Sequence, residues 1–88
     1  MDVFSEIREM NILLVDDDEW IRDALRIFFE AAGCHVLTLE TAEEVLAAIR
    51  DQTFDLFIVD YKLPGLDGLE FLKRIQDSQP NAIKILIT

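Results

Sequence analysis

Cations are scarce in this sequence: 8 Lys and Arg stand against 18 Asp and Glu, a formal net charge of −10 over 88 residues. A phosphate backbone has to be met by Lys and Arg, so this balance argues against nucleic-acid binding through this segment. An anionic membrane surface is disfavoured for the same reason. Cysteine is nearly absent as well. Cys34 has no second thiol for an internal disulfide or a zinc pair, and it reads as a small buried thiol in a reducing, cytoplasmic compartment. No apolar run approaches the roughly 18 residues that a membrane-spanning helix needs. The opening stretch, MDVFSEIREM, is acidic and lacks the basic-then-apolar order of a secretion signal. With three glycines and two prolines the chain shows no repeat, no low-complexity tract and no interdomain linker.

What is present is apolar and periodic. Hydrophobic residues make up 51% of the chain and six phenylalanines are among them, which argues against disorder despite the charge. The length allows one domain. Asn11 to Val15 (NILLV) is a short apolar run stopped by three acids, and reads as a strand buried on both faces. From Glu19 the period changes: Ile21, Ala24, Leu25 and Phe28 follow helical spacing and predict a buried face, with Gly33 just past the helix at a C′ position. Phe29 extends that face toward the core or an interface. His35 to Leu39 (HVLTL) is a second strand, with His35 at the surface. Thr41 stands three residues before Glu44, a capping-box spacing, and opens a helix burying Val45, Leu46 and Ile49.

Leu56 to Val59 (LFIV) is a third apolar strand, ended by Asp60, and the loop YKLPGLDG follows. Leu69, Leu72 and Ile75, with Phe71, give the next helix its buried face, and Gln79-Pro80-Asn81 closes it. Ile83 to Ile87 (IKILI) is a fourth strand ending at Thr88. The order β-α-β-α-β-α-β predicts a parallel sheet with right-handed crossovers. In such sheets ligands sit outside the carboxyl ends of the strands.

Those ends carry Asp16, Asp17 and Asp18 after the first strand, Asp60 after the third and Thr88 after the fourth. A doubly wound order places the first and third strands side by side, so Asp16, Asp17 and Asp60 converge. Carboxylates sharing a pocket repel unless protons or a cation lie between them, and their hard oxygens suit Mg²⁺. Carboxylates, Mg²⁺ and the Thr88 hydroxyl together suit phosphoryl transfer onto an aspartate. Asp18 or Glu19 is expected instead to cap the first helix. Trp20 stands beside the pocket with partial packing as its plain role, and Glu43-Glu44 forms a solvated face.

ILLVDDD, then DLFIVDYKLPGLDGLEFLKRI, then IKILIT resembles the receiver domain of two-component response regulators, from about Asn11 to Thr88. The resemblance implies a flavodoxin-like, doubly wound α/β sheet of strand order 2-1-3-4, with residues 1–10 as a lead-in and 11–88 as the receiver. It implies Mg²⁺ held by Asp16, Asp17, Asp60 and the backbone carbonyl of Lys62. It further implies that Asp60 is the phosphoacceptor for a histidine kinase or phosphotransfer protein, that Thr88 contacts the phosphoryl group, and that Pro64 and Gly68 match the loop after the acceptor. The chain is then no enzyme beyond slow self-catalysed phosphorylation and dephosphorylation. Two alternatives stay open: a dimerisation module with a vestigial acid pocket, and an aspartyl-phosphate phosphatase. Tyr61 and Lys62 after Asp60 argue against the phosphatase, which needs a second acid two residues on.

A full receiver continues with a helix, a strand and a final helix, about 35–45 residues by ordinary element lengths. The expectation is therefore a truncated domain, a fragment more than a naturally short receiver. Its signal output would be impaired, it would lack the Lys that meets the phosphoryl group, and apolar side chains over the third and fourth strands would lie bare. An open edge of Ile, Leu and Ile invites pairing, so a homo-oligomer, most simply a two-fold dimer, is expected.

Overall fold

The computed structural model describes residues 9–63 and 67–87. Four strands, β1 (Asn11–Val15), β2 (His35–Leu39), β3 (Leu56–Asp60) and β4 (Ile83–Ile87), alternate with three helices, α1 (Glu19–Ala31), α2 (Ala42–Asp51) and α3 (Gly68–Ser78). All pairings are parallel and the sheet order is β2-β1-β3-β4, the expected flavodoxin-like arrangement. β3 runs one residue beyond the apolar stretch and takes in Asp60. No helix among the described residues is long and apolar enough to cross a membrane.

The period of two along β1 and β3 divides the core. Leu13, Val15, Phe57 and Val59 pack on one face with Ala42 and Val45 of α2, Phe71 and Ile75 of α3, Phe54 and Leu63. Ile12, Leu14, Leu56 and Ile58 face the other way with Cys34, and Leu25, Phe29, Ala32 and Val36 pack against them. The central strands have an apolar neighbour on each side, which is why they carry almost unbroken apolar runs.

The helix ends follow the sequence signals. Asp18 is the N-cap of α1, its side chain accepting from the Trp20 and Ile21 amides. At the other end the Cys34 N–H donates to Phe29 O and the Gly33 N–H to Glu30 O, both at 3.0 Å. That is a Schellman arrangement, and Gly33 at φ 94° supplies the left-handed residue it requires. Thr41 and Glu44 form the reciprocal capping box of α2. Asp67 caps α3 through the Leu69 amide.

Several burial expectations need correction. No residue of α1 is fully buried: Leu25 and Phe29 meet the sheet, whereas Ile21, Ala24 and Phe28 lie outward, Phe28 at 52% exposure. Leu25 and Phe29 pack on a cluster that includes Leu56 and Ile58 of β3, both buried, so the expected bare face over the third strand is not found. Among the described residues, the exposed large apolar side chains of the sheet are Ile83, Ile85 and Leu86 of β4. Phe28 sets its ring edge-on to Phe29 at 5.1 Å. Leu69 is exposed, because Phe71 and Ile75 take the inner line of α3. Trp20 is 87% exposed and so not packed at all.

Candidate cation site at the strand ends

Register brings the acids together. Val15 pairs with Val59, so Asp16 and Asp60, the next residue on each strand, emerge at one height. Both also continue the alternation of Ile12, Leu14, Leu56 and Ile58, which places them on the same side of the sheet. One carboxylate oxygen each from Asp16, Asp17 and Asp60 lies within 4.8 Å of the others. Asp16 is buried, Asp60 half-buried and Asp17 exposed, so the cluster is closed below and open to solvent.

Asp16 is fixed on every polar atom but one. Its N–H donates to Leu39 O at 3.1 Å, continuing the β1–β2 ladder. Its Oδ1 accepts from the Asp18 N–H at 2.8 Å, and its carbonyl accepts from Arg22 Nη1 at 2.7 Å. Burial pushes the Asp16 carboxyl above its usual range; the charges of Asp60, Asp17 and Asp18 add to this, and the Asp18 N–H opposes it. Asp60 Oδ1 accepts from the Lys62 N–H at 2.9 Å, which sets the turn after β3. The Tyr61 N–H reaches Ile87 O at 2.9 Å and holds the following residue to β4. Tyr61 in turn explains Gly68: a Cβ there would stand 3.3 Å from the Tyr61 ring and 3.4 Å from its carbonyl.

Three carboxylates, one of them carrying its charge against burial, form an all-oxygen donor set whose mutual repulsion a hard divalent cation relieves. Asp18 is not part of it; capping α1 occupies its carboxylate. Thr88 and Pro64 lie outside the described residues. Sequence reasoning passed over Arg22, which bridges Asp16 O and Glu40 at the edge of the cluster. The available signal was a lone base one turn beyond a run of acids.

Comparison with known proteins points the same way. Residues 12–88 match the family model described as response regulator receiver domain. The chain is 39% identical over 77 residues to the DNA-binding transcriptional regulator NtrC of Salmonella typhimurium, covering 88% of this chain and 16% of that protein. A response regulator receiver domain protein (CheY-like) of Methanospirillum hungatei superposes with a TM-score of 0.84 at 37% identity, over 89% of this chain and 62% of that one. The response regulator TrrA of Thermotoga maritima, in complex with Mg²⁺ and BeF, gives 0.79 at 35% identity, over 88% of this chain and 67% of that one. The chain thus spans a small part of the curated relative and about two-thirds of the receiver structures.

Proposed function

Because the chain belongs to the response regulator receiver domain family, we propose that Asp60 accepts a phosphoryl group from a histidine kinase or phosphotransfer protein, with Mg²⁺ held by Asp16, Asp17 and Asp60. The observation that carries this reading is the Val15–Val59 register, which puts the buried Asp16 and the half-buried Asp60 at one height, with the exposed Asp17 beside them. The Mg²⁺ and BeF complex of the Thermotoga relative supports the choice of cation.

In this reading an Asp60 carboxylate oxygen attacks phosphorus and an acyl phosphate bond forms. The bond from phosphorus to the partner's imidazole nitrogen breaks, and its electron pair returns to the ring. The Lys62 N–H on Oδ1 holds the carboxylate in place and leaves Oδ2 for attack. Bound Mg²⁺ supplies positive charge to the phosphoryl oxygens. Asp16 and Asp17 hold it, Asp16 from a fixed position and Asp17 from the solvent side, and the Lys62 carbonyl is a further ligand on the family pattern. The Thr88 hydroxyl is assigned to a phosphoryl oxygen on the same pattern. The chain acts as a phosphoacceptor in the cytoplasm, and not as an enzyme that turns over a substrate. We further propose that, by itself, it pairs with a second copy through β4, whose Ile83, Ile85 and Leu86 are exposed.

Incubation with Mg²⁺ and acetyl phosphate, followed by intact mass, tests the acceptor. One added phosphoryl group is expected, absent in Asp60→Asn and without Mg²⁺. No gain in the wild-type chain overturns the reading and leaves the acid pocket a relic. Sustained hydrolysis of an added phosphomonoester would replace it with a phosphatase.

A further inference from the structure

Asp17 poses a positioning problem. It is the exposed member of the cluster and makes no hydrogen bond of its own among the described residues. Its carboxylate can therefore be aimed only through its main chain. The peptide that joins it to Asp16 ends in the Asp16 carbonyl, and that carbonyl is gripped by Arg22 Nη1 at 2.7 Å. The plane of this peptide fixes where the Asp17 Cα stands, and so the point from which its side chain leaves the backbone.

Arg22 is itself held. Its side chain is 14% exposed, its Nη2 donates to Glu40 Oε1 at 3.2 Å, and Glu40 follows β2, whose Leu39 carbonyl takes the Asp16 N–H. The Glu40 main-chain N–H donates to Glu44 Oε1 at 3.2 Å, so this anchor is tied to the capping box of α2. The guanidinium fork thus spans α1, the end of β1 and the start of α2. A second property follows from where the fork points. An Arg bonded to Asp16, Asp17 or Asp60 would occupy the oxygens a cation needs. Here one arm meets a carbonyl and the other a carboxylate outside the cluster, so the acids stay available.

We propose that Arg22 is the positioning residue of the cation site: it fixes the Asp16–Asp17 peptide against α1, and its charge is satisfied at Glu40 so that it does not compete for the acids. The inference rests on the cation reading above. Residues that orient metal ligands without touching the metal typically contribute about 10–100-fold in affinity.

The probe is Mn²⁺, an oxygen-seeking stand-in for Mg²⁺, with the 88-residue chain and the free ion counted by its EPR signal. Arg22→Met, which keeps the stem and removes the fork, should weaken Mn²⁺ about tenfold or more. Arg22→Lys, whose ammonium can reach the carbonyl but not both acceptors, should fall between Met and wild type. Lys84→Met removes hydrogen bonds to Gln76 and to Gln79 O near the opposite end of β4, and should bind as wild type does. Wild-type affinity in Arg22→Met overturns the proposal, as does an equal loss in Lys84→Met, which would mean general loosening. If Arg22→Met does not fold, Arg22→Lys decides, and affinity equal to wild type refutes the role. Failure of the wild-type chain to bind Mn²⁺ overturns the cation site itself, a result distinct from the others.

Discussion

Asp16 holds its charge in a place that disfavours it. Its carboxyl is raised above the ordinary 3.8, first by burial and then by Asp60, Asp17 and Asp18. Between that ordinary value and the raised one, the folded chain binds more protons than the unfolded chain. This group's contribution to stability is therefore full below 3.8 and is lost as pH rises through the folded-state value. Asp16→Asn keeps an oxygen for the Asp18 N–H and removes the charge. In metal-free buffer at neutral pH its Tm should exceed that of the wild type, and the gap should close as pH is lowered through that window. On the proposed cation reading, Mg²⁺ should raise the Tm of the wild type and leave that of the variant unchanged. Calorimetry at several pH values checks both, and a variant less stable at neutral pH would refute the account. The acids could be read before the fold was known, because each follows an apolar strand. Arg22 carries only a weak signal, a lone base one turn beyond the acids, because its main acceptor is a backbone carbonyl and every residue has one.

The elements were legible where a local signal fixes them. Thr41 and Glu44, Asp18, and Gly33 declare helix ends through spacing and conformational need, and the structure has all of them. Thr41→Ala should cost about 1 kcal/mol in urea unfolding, the usual value for a cap. Which flank of a helix is covered depends on its neighbours, and periodicity alone does not tell that Ile21, Phe28 and Leu69 lie outward. Gln79 closes α3 as the sequence implies, but its side-chain bridge depends on neighbours in the same way. At the end of α3 its Oε1 accepts from the Phe54 N–H at 2.8 Å and its Nε2 donates to Gln52 O at 2.7 Å, tying α3 to the segment between α2 and β3. Gln79→Leu leaves the buried Phe54 amide unpaired and should lower stability by about 1–3 kcal/mol. A loss below that range would mean water replaces the side chain.

A net charge of −10 acts across all of these contacts at once. Like charges repel in the compact state, and salt screens that repulsion. It screens ion pairs too, but those joining Arg26 to Asp23 and Glu30, and Arg74 to Glu70, are exposed and contribute little. Monovalent salt should therefore raise Tm, and a fall would show that the pairs matter more than the repulsion. Sedimentation velocity over a range of concentrations tests the proposed pairing through β4; a monomer mass throughout would sink it. The parallel sheet was legible from the alternation of strands and helices, while the order 2-1-3-4 was implied by the resemblance to receiver domains and is the order found.

That α1 buries no side chain fully has a kinetic consequence. α2 and α3 each bury side chains completely, while α1 buries none. Its amides should exchange with deuterium before those of β1 and β3, through an opening that leaves the rest folded. Arg22 rides on that helix, and its bond to the Asp16 carbonyl breaks whenever the helix lifts. If Arg22 positions the cation site as proposed, docking of α1 and occupancy at the acids are coupled, and a divalent cation should slow exchange along a helix whose side chains never touch it.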